Sequence, residues 1–296
     1  MAVVTCATAA VLGVSIATSQ AATEASNGTL NVLTYNVAGL PSRINSATTP
    51  RGPSTIAIGE RLKQYDVVNV QEDFNYHKNL YQGDSHPYRT ATSGGAGFGS
   101  GLNTLSSHPF TDLDRQKWGS CQMDSGDCFT PKGFTFMRVA LADGADVDFY
   151  NLHTNAGINE GDLQSRADNL RQLTQYIQAH SKGHAVVVMG DTNSRYTRVG
   201  DAIAEFSADN GLTDAWVQLK MNGRAPAKGS PDLKCPQEPT DTCEVVDKVL
   251  YRSGDNITLN AVKYSNEHAV FLDSSAAMLS DHDPVSVQLN WTRGNR

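Results

Sequence analysis

Eight polar residues stand where short apolar runs stop, and their types suit metal and proton chemistry. Asn36 closes Leu33-Thr34-Tyr35, Glu72 follows Val68-Asn69-Val70-Gln71, and His153 follows Tyr150-Asn151-Leu152. Asp191 and Asn193 follow Val188-Met189-Gly190, Asp247 lies inside Val245–Tyr251, and Asp281 and His282 precede Pro284-Val285. Carboxylate and amide oxygens favour hard cations, Mg²⁺ first, with Mn²⁺ or Ca²⁺ as alternatives. Two histidines suit proton transfer or phosphate contact near neutral pH. Asp191 and Asn193 are two positions apart, so an extended segment would aim both side chains the same way. Asp247 in an apolar strand is costly to bury alone, and a histidine is its natural partner. Each piece has a structural counterpart. Gly-Asp-x-Asn is also turn chemistry, and Asp247 beside Lys248 also reads as an internal ion pair.

Rigid elements must carry these residues. Six apolar runs rich in β-branched residues read as buried strands: residues 30–35, 67–70, 147–152, 185–189, 245–251 and 285–291. Helical patterns cover residues 55–65, 163–180 and 199–209, the second with Leu163, Leu170, Leu173 and Ile177 near a 3.6-residue period. Strands also follow strands directly, so mixed sheets covered by helices fit better than a doubly wound parallel sheet. The Gly-rich run Gly94–Gly101 lacks the Lys-[Ser/Thr] ending of a phosphate-binding loop and reads as a surface turn.

The chain has 296 residues, 39% hydrophobic and 19% charged, with a net charge of −7. That composition is globular, and the acidic balance argues against tenure on nucleic acid through bulk positive charge. Residues 1–22 read as a signal peptide and 23–296 as a single domain, so an exported, extracellular protein is expected. Outside that leader no run approaches the roughly 20 apolar residues that span a bilayer. Cys6 falls in the leader. The remaining cysteines form two close pairs, for which Cys121–Cys128 and Cys235–Cys243 disulfides are the expected pairing, ahead of a zinc site. Glycosylation sequons begin at Asn27, Asn256 and Asn290.

Taken in order, six motifs resemble the endonuclease/exonuclease/phosphatase superfamily, which includes DNase I and the neutral sphingomyelinases. They are Thr34-Tyr35-Asn36, Gln71-Glu72, Leu152-His153-Thr154, Gly190-Asp191-Thr192-Asn193, Val246 to Leu250, and Ser280-Asp281-His282-Asp283-Pro284. The resemblance implies an α/β (α+β) fold: a four-layered sandwich of two packed mixed β-sheets flanked by helices. It implies Glu72 as principal Mg²⁺ ligand, with Asn36 and Asp281 alongside. It further implies His282 as general base oriented by Asp247, Asp191 and Asn193 as positioners of water and phosphate, and His153 at a phosphoryl oxygen or leaving group.

Within that superfamily, Phe74 two residues after Glu72, Lys132-Gly133-Phe134 and Tyr35 to Pro41 are similar to the sphingomyelinase branch. The implied activity is a secreted phosphodiesterase of sphingomyelinase or phospholipase C type that releases a phosphorylated head group. A secreted DNase I-like endonuclease, a phosphomonoesterase and a non-catalytic binding module that kept the fold are the alternatives. A lipid head group is favoured over nucleic acid as substrate, the chain is expected to be a monomer without a stable protein partner, and transient membrane contact is possible. Residues 264–279 carry two readings: a membrane-touching hairpin through Phe271-Leu272, or, slightly favoured, a core strand.

Overall fold

The computed structural model describes residues 1–3 and 27–294. Residues 4–22 of the expected signal peptide, Cys6 among them, lie outside the described residues.

Among the described residues, twelve strands form two sheets of six. The first contains β1 (Asn27–Asn36), β2 (Val67–Gln71), β3 (Tyr88–Arg89), β4 (Asn103–Ser106), β11 (Ile257–Asn266) and β12 (Val285–Arg293), in the order β11-β12-β1-β2-β4-β3. The second contains β5 (Phe110–Lys117), β6 (Gly133–Ala142), β7 (Ala145–His153), β8 (Ala185–Asp191), β9 (Thr213–Asp214) and β10 (Asp247–Arg252), in the order β5-β6-β7-β8-β10-β9. Among the described residues only β1–β2 and β7–β8 pair in parallel and the other pairings are antiparallel, so both sheets are mixed.

The period of two explains how one strand serves two interfaces. In β1, Leu30 and Val32 join the core between the sheets, whereas Leu33 and Tyr35 face the other way and pack with Ile58, Leu62 and Leu80. Those last three belong to α1 (Arg51–Leu62) and α2 (His77–Gly83). On the far side, α3 (Glu160–His180) lays Leu170, Leu173 and Ile177 on the second sheet, beside α4 (Ile203–Asp209); α5 (Ala215–Lys220) closes its edge. The result is the four-layered sandwich. A capping box starts α3: the Asn159 side chain accepts from Asp162 N–H, and Asp162 accepts from Asn159 N–H.

A polar seam fixes how the sheets sit on each other. Asn69 Nδ2 of β2 donates to Tyr150 and Met189 carbonyls at 3.1 and 3.3 Å. Asn151 Nδ2 of β7 donates to Val70 and Asn103 carbonyls, both at 3.0 Å, while its Oδ1 accepts from Gln71 at 2.8 Å. These buried amides are satisfied only in one sheet-to-sheet register. Both expected disulfides, Cys121–Cys128 and Cys235–Cys243, are present.

Residues 264–279 follow neither expectation. Tyr264–Asn266 finish β11, residues 268–271 form a 3₁₀ turn, and Leu272 bridges Met278. Phe271 is buried, its ring 4.9 Å from that of Tyr35, because the helix-side core leaves a space that an aromatic fills. It therefore cannot reach a lipid surface, and the segment is not a core strand either. Gly94–Gly101 is a surface turn, as its composition suggested.

Candidate active site

Strand direction collects the chemistry on one edge. β1, β2, β7 and β8 end there, while β10 and β12, antiparallel to their neighbours, begin there. Asn36, the last residue of β1, joins the two sheets: its Nδ2 donates to Glu72 Oε1 and to Asp191 Oδ2, each at 3.1 Å. Its Oδ1 accepts from Ala38 N–H, so the amide nitrogen, not the oxygen, faces the two carboxylates. His153 and Asp247 both lie opposite Asp191 in the ladder of the second sheet. His153 Nε2 is 3.3 Å from Asp191 Oδ2. His282 Nδ1 meets Asp247 Oδ2 at 2.8 Å, and its Nε2 is 3.7 Å from Asp191 Oδ2. Asp281 is exposed at the mouth.

Asn193 departs from the extended geometry expected of it. β8 stops at Asp191, and Asn193 adopts φ +47°, so the two side chains do not share a strand face. Asn193 N–H instead donates to Asp191 Oδ1 at 3.0 Å, and Asn193 Nδ2 donates to the Thr154 carbonyl at 3.2 Å. The turn chemistry of Gly-Asp-x-Asn holds Asp191 in place.

Burial sets the electrostatics. It opposes charge on His282, but Asp247 and then Asp191 outweigh it and hold the imidazole pKa well above its usual value. The same burial pushes Asp247 up to about 6, against the opposing charge of His282. For His153, burial, seconded by Lys132, drives the pKa down to about 3, so this ring is neutral at neutral pH. Asp191 feels burial upward, yet His153, His282 and Lys132 bring it below the ordinary carboxylate range. Glu72 is raised by burial, against Asn36 and Lys132.

The backbone around Glu72 is under tension. Glu72 sits at φ +56° and Ala38 at +49°, conformations that ordinary residues adopt only when surroundings enforce them. Gly39 leaves the room: a Cβ there would lie 2.1 Å from the Glu72 carbonyl oxygen. Next in sequence, buried Asp73 accepts from Asn103 Nδ2 at 2.8 Å and meets His77 Nδ1 at 2.7 Å. Buried Arg51 donates to the Val37, Ala38 and Leu279 carbonyls, tying the loop after Asn36 to the loop before Asp281. Ser280 Oγ closes that tie on the Asn36 carbonyl at 2.6 Å.

Three observations fit a divalent cation here. Ligand atoms of Asp191, Asp247 and His282 all lie within 4.8 Å of one another. Asp247 Oδ1 is buried without a hydrogen-bond partner. Glu72, raised by burial, receives a hydrogen bond only from an amide, and a cation would restore its charge. The set is dominated by hard oxygens, as Mg²⁺ requires.

Lys132 belongs to this neighbourhood, although the sequence marked it only as part of Lys132-Gly133-Phe134. It acts electrostatically on Glu72, His153 and Asp191, and it pairs with Asp127 inside the Cys121–Cys128 loop. Its signal in the sequence was a lone cation just before a strand; only packing shows that it points to the site. Asp73, His77 and Arg51 carried no signal, because their work is to hold backbone.

A family model described as Endonuclease/Exonuclease/phosphatase family 2 matches residues 54–230. Sphingomyelinases of Mycobacterium bovis and Mycobacterium tuberculosis are 43% identical over 284 residues, which is 92% of this chain and 55% of theirs. The chain thus spans about half the length of the curated relatives it matches. Among solved structures, sphingomyelinase C of Streptomyces griseocarneus shares the fold with a TM-score of 0.59 at 19% identity, over 88% of this chain and 99% of that one. A Staphylococcus aureus beta toxin with bound magnesium ions gives 0.60 at 15% identity, over 88% of this chain and 99% of that one. D. rerio TDP2, complexed with a single-strand DNA product, gives 0.63 at 18% identity, over 88% of this chain and 98% of that one. With more than half its length matched by one family model and its sandwich shared with these solved proteins, the chain belongs to the endonuclease/exonuclease/phosphatase family.

Proposed function

We propose that the chain is a secreted, Mg²⁺-dependent phosphodiesterase of sphingomyelinase type, which hydrolyses a lipid phosphodiester and releases the phosphorylated head group. The observation that carries the chemistry is the His282–Asp247 pair at 2.8 Å, set against Asp191 and Glu72 at the junction of the two sheets. The observation that carries the substrate is 43% identity to sphingomyelinases. Two disulfides favour an oxidising, extracellular setting.

In this reading Glu72 and Asp281, with the adjoining Asp191 carboxylate, would hold the metal, while Asn36, whose amide nitrogen faces the carboxylates, keeps Glu72 and Asp191 in place. A divalent cation bound there neutralises charge that grows on the phosphoryl oxygens and favours the neutral form of His282. Asp247 keeps the His282 Nδ1 hydrogen, which leaves Nε2 to take a proton from the attacking water. Asp191, 3.7 Å from that nitrogen, orients the water, with Asn193 N–H fixing its carboxylate. His153, neutral and buried, offers its one N–H as a hydrogen-bond donor to a phosphoryl oxygen, and the leaving oxygen takes its proton from water. Lys132 adds positive charge on the same side.

The test is head-group release from sphingomyelin, phosphatidylcholine, phosphatidylethanolamine and phosphatidylinositol vesicles by the purified chain with Mg²⁺. Phosphocholine release is expected; no head group from any of them sinks the reading. The likeness to a DNA-bound neighbour supports a nuclease as the second reading. Plasmid nicking in the same buffer, absent from the lipid assay, would favour it.

A further inference from the structure

The large exposed hydrophobic side chains are not scattered. Apart from Met1 and Val3 at the N-terminus, six in the described residues are more than half exposed: Ile44 66%, Phe98 90%, Met123 59%, Phe129 71%, Ile158 72% and Val199 68%. Ile44 lies between β1 and α1, Phe98 between β3 and β4, and Met123 and Phe129 between β5 and β6. Ile158 lies between β7 and α3, and Val199 between β8 and α4.

Strand direction decides what these positions share. β1, β7 and β8 end at the site edge, and β4 and β6, antiparallel to β2 and β7, begin there. All six side chains therefore rise from loops on the edge that holds Glu72, Asp191 and His282. Of the less exposed ones, Tyr88, Leu113 and Val262 are on strands, Val270 is in the 3₁₀ turn before β12 and Leu233 is in the loop before β10. Single exposed hydrophobics are ordinary on a soluble protein. Their confinement to one edge, on five separate loops, is not.

We infer that these loop tips form a docking rim that seats the site mouth on a lipid surface, with Phe98 and Phe129 as its main anchors. This rests on the lipid-phosphodiester reading above and adds the surface through which the substrate is met. The two anchor loops touch: a Cβ on Gly97 would lie 3.7 Å from the Phe129 carbonyl oxygen. The anchors are also held near the chemistry. The Phe98 loop returns through Gly101, whose carbonyl accepts from Asp73 N–H at 2.9 Å, and the Phe129 loop carries Asp127, the partner of Lys132.

Charge selects the kind of surface. Residues 90–102 and 154–159, which carry Phe98 and Ile158, contain no charged residue, and the whole chain has a net charge of −7. The Phe98 and Ile158 tips can enter the head-group layer without burying charge, Phe129 can do so with exposed Asp124 left on the water side of its loop, and the acidic body gains nothing from an anionic leaflet. The rim fits a zwitterionic phosphocholine surface. A peptide groove would gather apolar side chains along a cleft; separate tips around a mouth suit a plane.

Binding can be read without turnover. His282→Ala protein is to be sedimented with sphingomyelin–phosphatidylcholine vesicles, with and without Phe98→Ser and Phe129→Ser. Loss of two aromatic insertions should weaken vesicle binding by about tenfold or more. The paired control, Leu113→Ser with Val262→Ser, removes exposed strand hydrophobics and should leave binding unchanged. In the active chain, the Phe98→Ser/Phe129→Ser protein should lose hydrolysis of vesicle lipid but keep that of a water-soluble phosphocholine ester. Undiminished sedimentation of the rim variant overturns the inference. So does rim-dependent self-association without vesicles, which would assign the tips to a second copy. If vesicles bind through the rim but no head group is ever released, the docking surface stands and the catalytic reading falls.

Discussion

Asp247 and His282 are 35 positions apart and meet at 2.8 Å. In the proposed mechanism the carboxylate fixes the ring, so Asp247→Asn should cut kcat by about a hundredfold or more with little change in KM. Because Asp247 holds the His282 pKa above its ordinary value, the acid limb of the pH–rate profile should also move down toward that of a free imidazole. A limb that stays in place would remove Asp247 from the role. His153 gives a prediction of opposite sign. Its folded pKa is depressed to about 3 by burial and by Lys132, so it must be neutral in the folded chain. The stability this represents is complete above the unfolded value of about 6.5 and is lost as pH falls from there toward 3. Urea unfolding across that window should show His153→Asn losing less stability on acidification than the parent. Equal slopes would mean that the folded chain protonates His153 as easily as the unfolded chain does.

Elements bring these residues together through where they stop. β7 and β8 are parallel and stop at His153 and Asp191, which are directly paired, and β10 starts opposite at Asp247. The polar seam sets the first sheet against this group, so its loss is a test of element packing. Asn151→Leu strands the Val70 and Asn103 carbonyls and should cost about 3 kcal/mol in chemical denaturation. A change under about 1 kcal/mol would show that the sheets hold their register without it. The six strands expected from apolar runs are all present; β3, β4, β5, β9 and β11 were not among them, and β6 was marked only by the strand expected after Lys132. Phe110–Lys117 reads FTDLDRQK, largely polar because its burial is slight, and β11 alternates buried and exposed positions with a bulge at residues 261–263. Pattern reading finds strands buried on both faces more readily than edge strands, whose outward faces imitate loops.

At the scale of the whole molecule, the sandwich is a frame whose one edge carries acids, histidines and apolar tips. If a cation is held there by oxygens that otherwise repel, chelation should abolish turnover while the circular dichroism spectrum is retained, and Mg²⁺ should restore the rate. Full activity in excess chelator would dismiss the metal. The amino-acid sequence by itself singled out the polar residues that the fold brings together: Asn36, Glu72, His153, Asp191, Asp247 and His282 each end or begin an apolar run, and strand ends are where a sheet can aim polar groups. It also determined the disulfides, since cysteines seven and eight positions apart close small loops. Tertiary structure alone decided three things. It placed Lys132 beside the carboxylates, because a long side chain's direction depends on what packs around its stem. It buried Phe271 against Tyr35 and so removed it from any membrane contact, because an aromatic goes where the core has room. And it gathered Ile44, Phe98, Phe129 and Ile158 on a single edge, because strand direction, which no local pattern encodes, sets the end at which each loop emerges.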